Sequence, residues 1–78
     1  MISNIRGERS RVDMTQEQLA ERLGVASSAI RRWEDGTTSP APKHLLAMSD
    51  LFGCTTDYLL GRTDDRLGLY VKQIPQGG

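Results

Sequence analysis

An all-α fold of five short helices is what this sequence predicts, and three observations carry it. Apolar residues recur at three- and four-residue spacing through most of the chain, the runs end at glycines or a proline-rich break, and aromatic residues are only 5% of the total. With 37% hydrophobic residues among 78, the chain can build one small core, and aliphatic side chains from packed helices have to fill most of it.

The first helix is expected over residues 3–12, where Ile5, Arg9 and Val12 fall at helical spacing and Arg6, Glu8, Ser10 and Arg11 spread over the remaining surface. Gly7 weakens it by about 1 kcal/mol relative to alanine, so packing must hold it. Asp13 breaks the pattern, and Met14 is placed to tuck under the next helix. Thr15 with Gln18 three residues on forms a capping-box pattern that opens the second helix. Leu19, Ala20 and Leu23 make its inward stripe, Glu17 and Glu21 face water, and Gly24 supplies the left-handed residue that ends it. Ile30 and Trp33 then resume an inward face, which predicts a third helix over residues 27–35 with Ser27, Ser28, Arg31 and Arg32 pointing outward. Two short helices joined by a glycine-containing turn are a helix-turn-helix arrangement, and small Ala20 suits the point where they cross.

Residues 35–42 read as a loop by every local signal, with Pro42 suited to the first turn of a fourth helix. Leu45, Leu46, Met48, Leu51 and Phe52 give that helix a broad apolar face, and Gly53 stops it. Thr55 or Thr56 can cap a short fifth helix through Tyr58, Leu59 and Leu60, closed by Gly61. Beyond it, residues 62–66 are polar and turn-like, with Asp64 and Asp65 reading as linker, and residues 67–74 alternate in the manner of a strand. The expected organisation is therefore a domain over residues 1–61 and a C-terminal tail, arm or linker over 62–78.

Composition bounds the function. Ten Lys and Arg balance ten Asp and Glu, so the net charge is zero, against the basic excess common among nucleic-acid binders. A compact domain can still gather its cations on one face. Cys54 alone cannot form an intramolecular disulfide, no apolar run approaches the roughly 18 residues a bilayer span needs, and the first ten residues turn charged too early for an apolar targeting core. A cytoplasmic protein without membrane attachment is expected. No nucleophile, base or metal constellation suggests an enzyme, and no cofactor or metal is expected. His44 is expected on the surface, Trp33 in the core, and Cys54 as a buried, inert thiol.

The small Ala20, the turn glycine Gly24 and the apolar Leu19, Leu23, Val25, Ile30 and Trp33, together with RWEDG at 32–36, SP at 39–40 and DYLLG at 57–61, complete a more specific pattern. Over about residues 2–61 the chain resembles the lambda-repressor-like DNA-binding domain, the Cro/C1 (XRE) family of phage and bacterial regulators. The resemblance implies a compact five-helix bundle that binds a double-stranded DNA operator as a homodimer, its third helix in the major groove. Carried over by position, Ser27, Ser28 and Arg32 are the implied base readers. Gln16, Arg31, Thr37, Thr38, Ser39 and Lys43 are the implied phosphate contacts, and Arg9 with Glu34 an implied structural ion pair. Ala26 and Ala41 stand where the family often has a helix cap, so Ser27 could instead cap the third helix.

The implied activity is transcriptional regulation, as a repressor acting by operator occupancy. Two further readings stay open: an antitoxin-like or adaptor module of the same fold, with a protein partner on the C-terminal tail, and the N-terminal part of a longer regulator.

Overall fold

The computed structural model describes residues 3–68, which form five helices and, among the described residues, no strand. These are α1 (Ile5–Arg11), α2 (Gln16–Leu23), α3 (Ser27–Asp35), α4 (Pro42–Phe52) and α5 (Thr56–Leu59). The all-α fold class expected from the sequence is thus observed.

Each junction follows from local chemistry. Asn4 makes no side-chain cap for α1. It reaches across the bundle instead, its backbone N–H donating to Leu59 O at 2.9 Å and its side-chain amide to Tyr58 O at 2.7 Å, which ties the start of the chain to α5. After α1 the backbone turns through Asp13, whose φ of 59° places a non-glycine residue in the left-handed region that aspartate tolerates better than most. The capping box of α2 is complete: Gln18 N–H donates to Thr15 Oγ1 at 3.0 Å, and Thr15 N–H donates to Gln18 Oε1 at 2.8 Å. Gly24, at φ 72°, ends α2, and Val25 N–H donates back to Ala20 O at 3.0 Å, a Schellman closure that a Cβ-bearing residue would strain. That closure turns the chain from α2 into α3.

The core contains Ile5, Leu19, Ile30, Met48 and Leu59, all fully buried, with Phe52, Ala20, Trp33 and Cys54 nearly so. Every helix contributes to it. A fully buried aliphatic or phenyl side chain is worth about 1.5–3 kcal/mol, so this one cluster supplies most of what holds five short helices, none of them stable alone. Burial also pushes the Cys54 thiol above its ordinary value, which keeps it protonated and unreactive.

Four details depart from the sequence-based expectation. Leu46 is 60% exposed, because α4 buries the face carrying Met48 and Phe52 and Leu46 lies on the opposite side. His44 is half-buried, its ring 5.7 Å from that of Trp33, instead of lying on the surface. Glu8, expected to face water, is buried. The strand expected from residue 67 does not begin there: Leu67 and Gly68 lie in a turn, and residues 69–74 fall outside the described residues.

Glu8 is buried because two arginines meet it. Arg66 donates to both carboxylate oxygens at 2.8 Å, and Arg11 donates to Oε1 at 3.0 Å. Both guanidinium groups also donate to Phe52 O, at 2.7 and 2.5 Å, and so satisfy a carbonyl left open at the end of α4. A further bond from Thr55 N–H to Arg66 O at 2.9 Å fixes the returning chain. The Arg66 and Arg11 guanidinium groups hold the Glu8 carboxyl below its ordinary range despite its burial.

Candidate nucleic-acid interface

Helix α3 buries Ile30, Trp33 and Glu34, and the opposite stripe carries Ser28, Arg31 and Arg32 at i, i+3 and i+4. Both arginines are exposed, and neither forms an ion pair among the described residues. Their ten guanidinium N–H donors are therefore uncommitted in the protein. Ser27 and Ser28 are half-exposed.

The backbone of Ala26 occupies the N-cap position of α3 at φ −74° and ψ 148°, with no side-chain cap. Ser27 therefore does not hold the helix by a shifted register. Its hydroxyl forms no hydrogen bond among the described residues. The first turn of α3 thus presents open backbone N–H groups beside two short hydroxyls, a favourable end for an anion or a base edge.

Behind this stripe, three helices meet at one carboxylate. Arg9 on α1 donates through Nε to Glu34 Oε2 at 2.6 Å and through Nη2 to Oε1 at 3.2 Å, while its Nη1 donates to Met14 O at 2.8 Å. Gln16, the first residue of α2, donates its side-chain amide to Glu34 Oε1 at 3.0 Å. Side-chain exposure is 13% for Arg9 and 4% for Glu34, so the pair is largely removed from water. The carboxylate is held by three donors, and through it α1 and α2 grip the far end of α3.

Thr37, Thr38, Ser39 and Lys43 are exposed on the loop after α3 and the first turn of α4. Gly36, at φ 80°, turns the chain into that loop, and Thr37 N–H donates to Arg32 O at 2.9 Å. The sequence-based site residues thus divide into an outward stripe on α3, a flanking loop, and the α2 N-terminus. Two features escaped the sequence reading. The bond between Gln16 and Glu34 joins residues 18 apart and has no local signature. Buried Glu8 does have one, because it shares a helical face with Ile5, Arg9 and Val12.

No helix among the described residues is long and apolar enough to cross a membrane, and no group of metal-ligating side chains occurs among them.

The sequence model of the helix-turn-helix family matches residues 5–59. Repressor protein C2 of Salmonella phage P22 is 38% identical over 60 residues, which cover 77% of this chain and 28% of that protein. The transcriptional activator BcrR of Enterococcus faecalis is 46% identical over 48 residues, covering 62% of this chain and 24% of BcrR. This chain therefore spans less than a third of the length of either relative. The crystal structure of the P22 c2 repressor in complex with a synthetic operator superposes with a TM-score of 0.68 at 37% identity, over 76% of this chain and 89% of that one. On its sequence, its five helices and this superposition, the chain belongs to the helix-turn-helix family of transcriptional regulators, in its lambda-repressor-like, Cro/C1 branch.

Proposed function

We propose that residues 1–61 form a domain that binds double-stranded operator DNA sequence-specifically and, as a homodimer, represses transcription by occupying the site. The single observation that carries this reading is the uncommitted stripe of Ser28, Arg31 and Arg32 on a helix whose other face is locked into the core. In this reading α3 lies in the major groove. Arg32, aided by Ser27 and Ser28, reads base edges; a guanidinium can bond O6 and N7 of one guanine, worth about 1–3 kcal/mol of discrimination. The α2 N-terminus at Gln16, with Arg31, Thr37, Thr38, Ser39 and Lys43, grips phosphates and sets the register.

A homodimer fits because two such helices, about 34 Å apart, meet successive major grooves of a pseudo-palindromic site. A cleft of about 310 Å³ between the loop after α3 and the end of α5, lined by Trp33, Pro40, Leu60 and Arg62, adjoins the DNA-facing loop and is a suitable place for the partner subunit. Arg66 is tied back to the domain through Glu8 and Phe52 O, so the arm or linker of the same assembly is assigned to the tail beyond it, and not from residue 62 onward. The protein would act in the cytoplasm, as a binding protein and not an enzyme. Its zero net charge implies weak binding to random DNA and a modest salt dependence.

The test is Arg32→Ala measured on a selected site and on random duplex. Affinity for the selected site should fall by about 5- to 150-fold, the equivalent of 1–3 kcal/mol, with little change on random duplex. Equal losses on both would contradict base reading by Arg32.

A further inference from the structure

The geometry points to Glu34 as a positioning residue for the phosphate grip, acting through the side-chain amide of Gln16; this rests on the DNA-binding role proposed above. Glu34 sits at the end of α3 and forms part of no surface stripe, being 7% exposed. One of its oxygens nonetheless accepts from Gln16 Nε2 at 3.0 Å, while Arg9 holds the carboxylate by two bonds.

That arrangement decides which end of the amide faces where. A carboxylate only accepts, so the nitrogen of Gln16 and not its oxygen must turn toward Glu34. The nitrogen carries a second hydrogen, and a phosphate oxygen also only accepts. Anchoring one N–H leaves the other available on the same atom. A free glutamine would present its oxygen to a phosphate in half of its orientations and would lose side-chain freedom on binding.

The backbone around it is arranged in the same sense. The capping box uses the N–H of Thr15 and of Gln18. Gln16 and Glu17 are the first two helical residues between them, and their N–H groups have no acceptor within the helix. Together with the held amide they form a donor cluster beside a cleft of about 530 Å³ whose charged lining is Arg9, Asp13 and Glu17. The Arg9 charge offsets that of Glu34 behind the site, while Asp13 and Glu17 at the cleft are exposed, where water and salt screen their charge.

Two measurements test the assignment. In the DNA-free protein, 15N relaxation should give the Gln16 side-chain NH2 an order parameter near the rigid-backbone value of about 0.85, and a value under about 0.6 would overturn the held amide. Second, Gln16→Ala should weaken binding to a selected duplex about tenfold in the otherwise unaltered protein. It should weaken binding less than about twofold in an Arg9→Met/Glu34→Leu background, where nothing holds the amide. Equal losses in both backgrounds would reduce Glu34 to a brace between helices. A protein that binds no duplex from a random pool would refute the DNA role and with it this one, even with a rigid amide.

Discussion

Arg9→Ala removes the cation that neutralises Glu34, and the structure allows its cost to be worked out. Leaving one member of a buried ion pair without its partner costs about 3–5 kcal/mol, because the remaining charge stays desolvated. Glu34 would keep its bond from Gln16, and Arg9 borders an open cleft through which water can reach the vacated place. Those two features put the expected loss at the low end, about 3 kcal/mol. In a domain of this size each kcal/mol moves Tm by about 4–8 °C, so Tm should fall by about 12–24 °C. Urea unfolding followed by far-UV circular dichroism and by fluorescence of buried Trp33 measures the loss directly. The double variant Arg9→Met/Glu34→Leu separates a charge effect from a shape effect. Replacing a buried pair by apolar side chains of similar size is often neutral or stabilising, so it should stay within about 1 kcal/mol of the parent. A loss under about 1 kcal/mol for Arg9→Ala, or a double variant no better than the single one, would show that no buried charge is left unpaired.

Arg66 and Arg11 lower the folded-state pKa of Glu8 relative to its ordinary value of 4.5. The stability this confers is fully present above 4.5 and is lost as pH falls through the lower folded value. Tm of the parent should therefore drop more steeply below pH 4.5 than that of Glu8→Gln, and parallel acid profiles would contradict the linkage. Ala26 holds the N-cap position of α3 in extended geometry without a side-chain cap. Ala26→Ser should therefore add about 0.5–2 kcal/mol of stability, read as a raised urea midpoint; no gain would mean that the first turn of α3 is already satisfied by water.

Much of the fold was legible because its signals are local. Thr15 with Gln18, Gly24 and Pro42 each mark a helix boundary through chemistry confined to a few neighbouring residues. The inward stripes of α2 and α3 follow from a 3.6-residue period, which also places Arg31 and Arg32 outward. What escaped the sequence depends on distant partners. Glu8 lies on the inward face of Ile5 and Val12, but the second cation that makes its burial tolerable, Arg66, comes from 58 residues later. Leu46 belongs by spacing to an apolar face, but the five large apolar residues of α4 cover more of its circumference than the bundle can bury. His44 gains its partial cover only from Trp33 on another helix. At the site, the residue types on the exposed face of α3 could be read directly, whereas the bond that joins Gln16 to Glu34 exists only once α2 and α3 have crossed.

Selection of binding sites from random duplex DNA by the full chain decides whether α3 reads an operator. The account predicts enrichment of a pseudo-palindrome with half-site centres 10–10.5 base pairs apart, a fixed guanine in each half-site that loses its preference when Arg32 is replaced by alanine, and binding by two chains per site. Recovery of a pool no different from the starting library would contradict it.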